Sequence, residues 1–139
     1  MNTASVVLET VEGEGIVFTA RLGSGTSFRM DSATDPQGPS PVETLLAALG
    51  GCGGMDVIGI LRKKRQVVTG YEVWVSGERA PDHPRRFTRI EVVHRVRGRN
   101  LSAAAIAEAI RLTDTKYCSV HATLAPAVEI VSRYEIVPA

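Results

Sequence analysis

Cysteine, aromatic residues and net charge are all scarce in this chain. It has two cysteines and 5% aromatics, and its 16 Lys and Arg nearly cancel 15 Asp and Glu, leaving a net charge of +1 over 139 residues. A chain this close to neutral has no global field to draw it onto nucleic acid or an anionic membrane, so neither is expected as a partner. Two cysteines are too few for the disulfide framework of a small secreted domain. Met1 to Thr10 also lacks the basic segment and apolar run of a signal peptide. The expected setting is therefore a reducing cytoplasm, where cysteines are seldom structural staples. Internal repeats and low-complexity segments are missing too. So are long apolar runs, with one exception: Thr44 to Leu61 carries a single charged side chain, Asp56. Its length approaches a bilayer span. Gly50, Gly51, Gly53, Gly54 and Gly59, the central Asp56 and the alternating sequence on both sides favour a buried core helix.

Hydrophobic residues make up 44% of the chain, enough for one core, and the expectation is a single domain over 1–139. Short alternating segments at Val6 to Val11, Ile16 to Leu22 and Phe28 to Met30, punctuated by Gly13, Gly15, Gly23 and Gly25, predict antiparallel strands with tight turns. Asp35 to Pro39 is a loop. Ser40-Pro41-Val42-Glu43 then supplies a Ser cap, Pro at the first helical position and Glu at the third, the signature of a helix start. That helix runs through the apolar stretch to Arg62-Lys63-Lys64-Arg65, cations suited to the negative end of a helix dipole. It is apolar nearly all round and so is expected to be fully buried. Each glycine inside it costs about 1 kcal/mol relative to Ala, which a close backbone approach at positions such as Gly51 would offset. Two long strands follow, Val67 to Ser76 and Arg86 to Val96, joined by a loop at Glu78 to Pro84. Trp74 and Tyr71 on the first read as core or interface. Leu101-Ser102 opens a second helix to Leu112, whose alanines could meet the glycine face of the first, and Val128 to Val137 closes the chain as a strand. Strands and helices in this order form an α+β domain rather than a doubly wound sheet. The glycine cluster lies inside a helix, so it is not a phosphate loop.

Three readings of Cys52 and Cys118 stay open on the residues alone. Both could be small buried hydrophobes. They could contribute to a metal site, with Asp56, His94 and His121 as further ligands, although Cys118-x-x-His121 is a single loose pair where structural zinc draws on two. Or they could do thiol redox chemistry, one thiolate attacking a peroxide and the other resolving the sulfenic acid as a disulfide. The third reading needs a cation near Cys52, because Asp56 one turn on opposes a thiolate. Arg21 and Arg29 on the early strands are the candidates. His83, His94 and His121 show no hydrolytic pairing and are expected in loops or at the surface.

The segment from Gly38 to Cys52, GPSPVETLLAALGGC, resembles the signature of the OsmC/Ohr family of peroxide-detoxifying proteins, and Tyr117-Cys118-Ser119-Val120 resembles that family's second cysteine segment. Met55-Asp56 after the first cysteine is closer to a less characterised branch. The resemblance implies antiparallel sheets wrapped around two central helices in an intertwined homodimer with interfacial active sites. It implies a peroxidatic Cys52, a resolving Cys118, an activating Arg21 with Arg29 as substitute, and Glu43 holding the arginine. Val42 stands where the family carboxylate directly follows the proline, so Glu43 is equally expected to serve only as the helix cap. The implied activity is reduction of organic hydroperoxides with regeneration by a dithiol, lipoyl or similar, without metal or organic cofactor. The alternative is a dimeric binding protein for a small apolar ligand with idle cysteines.

Overall fold

The computed structural model describes residues 1–9, 15–32 and 36–139. Val11, Gly13 and Asp35, which the sequence assigned to a strand end, a turn and a loop start, lie outside the described residues. The chain divides into two compact units, Met1–Leu45 and Leu46–Ala139.

The first unit is a three-stranded antiparallel sheet in the order β1 (Ala4–Leu8), β2 (Val17–Leu22), β3 (Ser27–Asp31). The β2–β3 turn carries Gly25 at φ 91°, a conformation in which glycine avoids the Cβ clash. After β3 the chain is tied back on itself: Asp31 N–H donates to Pro39 C=O at 3.0 Å and Gln37 N–H to Asp31 Oδ2 at 3.0 Å. This positions Ser40 to start α1 (Pro41–Lys63). The serine half of the expected capping box is present, Glu43 N–H donating to Ser40 Oγ at 3.2 Å, and the Glu43 carboxylate is held by the same hydroxyl, Ser40 Oγ donating to Glu43 Oε2 at 3.1 Å.

In the second unit α1 continues and is followed by β4 (Val67–Arg79), β5 (Phe87–Arg99), α2 (Ala103–Leu112), α3 (Ser119–Leu124) and β6 (Glu129–Pro138). β4 and β5 run longer than the sequence pattern indicated and pair antiparallel throughout. β6 adds to the other edge of β5 in parallel. Parallel neighbours need a crossover, and α2 and α3 supply it, so this sheet is mixed where the resemblance implied antiparallel pairing.

The core of this unit is a cluster of Val57 and Leu61 from α1, Val96 from β5, and Ile106, Ala109 and Ile110 from α2, with Ile60, Val68, Tyr71 and Leu101 packed on it. Two expectations need correction. α1 is buried on one face only, through Leu49, Gly50, Gly53, Gly54, Val57 and Leu61. Leu45 and Met55 are 43% and 76% exposed. By length and composition α1 could cross a membrane, but its packing into this core identifies it as the unit's core helix. The glycines, moreover, do not all serve one contact with α2. A Cβ at Gly50 would lie 2.9 Å from Val75 Cγ2 and one at Gly54 3.3 Å from Val73 Cγ2, so these two let α1 settle against β4. Gly53 faces Thr113 just past α2, while Gly51 has nothing within 4 Å.

Candidate functional site

Cys52 and Asp56 stand four positions apart on α1, about one helical turn, which places them on the same face. Cys118 reaches them from the other side by a less regular route. After α2 the chain does not stop but widens into a single π-helical turn, Thr113–Tyr117, closed by Cys118 N–H donating to Thr113 C=O at 2.9 Å. Two threonine hydroxyls bond back into the preceding turn, Thr113 Oγ1 to Ala109 C=O at 2.8 Å and Thr115 Oγ1 to Arg111 C=O at 2.6 Å. Such back-bonding competes with the regular ladder and bends helices, and π turns of this kind occur frequently at functional sites. Cys118 then caps α3 with its sulfur, which accepts from His121 N–H at 3.3 Å.

The result is a compact constellation: Cys52 Sγ, Cys118 Sγ and a carboxylate oxygen of Asp56 all lie within 4.8 Å of one another. Both cysteines are free thiols, Cys52 half-buried and Cys118 only 3% exposed. Burial pushes the Cys118 thiol up from about 9 to about 11, the adjacent Cys52 acts in the same direction, and the His121 N–H opposes them. Cys118 therefore rests as a thiol at neutral pH. Asp56 Oδ2 is buried and has no hydrogen-bond partner. Beside it opens a groove of about 440 Å³, walled by Met55, Ile60, Leu112 and Tyr117, with Lys63 and Lys64 at its edge.

Neither histidine proposed as a metal ligand joins the three. His94, expected in a loop or at the surface, is 1% exposed on β5. Its Nδ1 shares a 2.7 Å hydrogen bond with Tyr71 Oη, the rings stack at 6.0 Å, and burial lowers its pKa. His121 Nε2 lies 4.0 Å from Asp114 Oδ1. What the sequence undervalued is Asp56. By type it reads as a hindrance to the thiolate or as one metal ligand among five, but the Cys52-x-x-x-Asp56 spacing is enough to put both side chains on one face.

The remaining predicted residues sit in the first unit. Arg29 on β3 is ion-paired with Glu9 at 2.8 Å. Arg21 is exposed on β2, opposite Ser5 and Ser27 in register, and makes no ion pair among the described residues. Glu43 is engaged in the cap with Ser40 and does not pair with Arg21 there.

Known proteins of similar sequence and fold place this chain in a lineage. The profile of the family described as OsmC-like protein matches residues 34–133, from the loop before α1 into β6 and across both cysteines. The chain is 44% identical over 126 residues to Protein YhfA of Escherichia coli K12, covering 91% of this chain and 94% of that protein. Its fold matches the crystal structure of an OsmC-like protein from Mycoplasma pneumoniae with a TM-score of 0.83 at 18% identity, covering 99% of this chain and 97% of the other. It also matches an organic hydroperoxide resistance protein from Elizabethkingia anophelis with a TM-score of 0.70 at 10% identity, covering 99% and 96%. With a family match over most of its length and a relative at this identity across nearly all of it, the chain belongs to the OsmC-like family.

Proposed function

We propose that this protein is a cysteine-based reductase of organic hydroperoxides. The observation that carries the reading is the meeting of Cys52 and Cys118, remote in sequence, with sulfurs close enough that side-chain rotation can bring them to disulfide distance. Cys52 is the attacking thiolate, because it is the more accessible of the two. Cys118, buried and protonated, is the resolving thiol. Cys52 attacks the terminal peroxide oxygen, the O–O bond breaks, a proton passes to the departing alkoxide to give the alcohol, and Cys52 is left as a sulfenic acid. Cys118 then displaces that hydroxyl as water and forms the disulfide. An external dithiol, lipoyl or similar, reduces it by two exchange steps and is itself oxidised. The apolar walls of the groove beside Asp56 suit the organic part of the peroxide.

A thiolate beside Asp56 needs a cation. Since Arg29 is taken by Glu9, we assign the activating role to Arg21, with Glu43 orienting it once it leaves its bond to Ser40. We further infer that two chains associate. Ala47, Gly51 and Met55 follow one exposed stripe of α1, with Leu45 beside it, an apolar surface on a helix that is otherwise a core element. The expected steady-state result with an alkyl hydroperoxide and a dithiol is loss of turnover in Cys52→Ser. Cys118→Ser should retain one stoichiometric reduction and then stall. Undiminished turnover in Cys52→Ser removes the proposal. In the alternative, the groove holds a small apolar ligand and the thiols are idle; a ligand that copurifies with peroxide-inert protein is its signature.

A further inference from the structure

Asp56 poses a problem that thiol chemistry alone does not solve. Its Oδ2 is buried without a partner, and its carboxylate faces two sulfurs, either of which becomes an anion when it ionises. Among the described residues Asp56 has no ion pair. A buried polar atom left unsatisfied is destabilising, and more so when charged. One kind of guest answers all three groups at once.

We propose that Cys52, Asp56 and Cys118 bind a thiophilic divalent cation of the zinc class, holding it on three protein ligands with one position open. The donor set of two sulfurs and one carboxylate oxygen is one zinc accepts readily. Ligand atoms around tetrahedral zinc lie about 3.5 to 3.8 Å apart, given Zn–S near 2.3 Å and Zn–O near 2.1 Å. Here the three lie within 4.8 Å, so closure asks for about an ångström of side-chain movement. Two of the ligands are fixed one turn apart on α1, the unit's core helix, and the third is fixed by the π turn. The His121 N–H bonded to Cys118 Sγ provides the outer support that coordinated thiolates use. Coordination displaces the protons the thiols hold, forms two metal–sulfur bonds and one metal–oxygen bond, and changes no oxidation state.

The cation is not a cofactor for peroxide reduction. It occupies both sulfurs and so shields them from oxidation, and the same pair of thiols becomes either a metal site or a disulfide, never both. His94 and His121 point elsewhere, to Tyr71 and Asp114, and are not ligands.

The test uses reduced, chelator-treated full-length protein and cobalt(II) as the spectroscopic probe, with no peroxide present. A sulfur-to-cobalt charge-transfer band in the near ultraviolet is expected to saturate at one equivalent and to vanish when zinc is added. Cys118→Ser should lose most of the band. Asp56→Asn, which preserves shape, should weaken cobalt binding by more than the roughly tenfold to hundredfold that loss of a supporting group costs. His121→Ala should leave binding unchanged. Circular dichroism confirms that each variant is folded, and a slowed alkylation of both thiols by one equivalent of zinc in the parent, lost in Asp56→Asn, provides a second readout. Absence of the band in the parent, or equal binding by Asp56→Asn, overturns the site. Because peroxide turnover is measured separately in the presence of chelator, either proposal can fail while the other stands.

Discussion

Cys118 holds its proton to a higher pH than an ordinary thiol because the fold removes it from water. That has a consequence for stability. Between about pH 9 and about pH 11 the unfolded chain has released this proton and the native chain has not, so the native state binds more protons and the free energy of unfolding falls as pH rises. Below that window the contribution is fully present. Urea melts across it should show the decline in the parent and a flatter profile in Cys118→Ser. His94 works in the opposite sense. Burial lowers its pKa, so its contribution is complete above the unfolded value near 6.5 and is lost as pH falls through the native one. Acid melts of His94→Gln should show a weaker decline below neutrality. At this scale the sequence disclosed identities and hid environments. Cys52 and Cys118 were recognisable from their flanking segments. That His94 is buried against Tyr71 depends on a strand register, and no local pattern carries that information.

Among the elements, α1 was the most legible, because its start is written in neighbouring residues: the Ser40 hydroxyl accepts from Glu43 N–H and donates to the Glu43 carboxylate without help from the rest of the fold. The π turn at Thr113–Tyr117 was not. It depends on two hydroxyls turning back on α2 rather than outward, and the same residues read equally well as a loop. The glycines of α1 divide between those expectations. Small residues do permit close approach, but at Gly50 and Gly54 rather than at Gly51. Gly50→Leu should drive a branched side chain into Val75, and overpacking of that kind costs about 1–3 kcal/mol or more. A melting temperature lowered by several degrees is the expected reading, and an unchanged one would show that β4 gives way freely. Gly51→Leu should leave the chain folded, with unaltered far-ultraviolet circular dichroism, and act only on association.

For the whole molecule, the α+β class and the order of elements followed from the sequence, while the parallel placement of β6 did not. An edge strand such as β6 can join a sheet in either direction, and only the crossover through α2 and α3 decides. Family membership rests on the match across both cysteine segments, and it brings an expectation of pairing between chains that the exposed stripe of α1 supports. Light scattering of the parent is expected to give twice the chain mass, with Gly51→Leu shifted toward one; a monomeric parent would mean that Leu45 and Met55 face water in solution. All of this serves one chemical claim, that Cys52 and Cys118 are a redox couple. The decisive measurement is peptide mass mapping of the alkylated protein after one equivalent of an organic hydroperoxide, with chelator present. The expected product is a single cross-linked peptide joining Cys52 to Cys118, lighter than its reduced parts by two hydrogens, with the alcohol formed in equal amount. Both cysteines recovered as alkylated thiols with the hydroperoxide intact would contradict it.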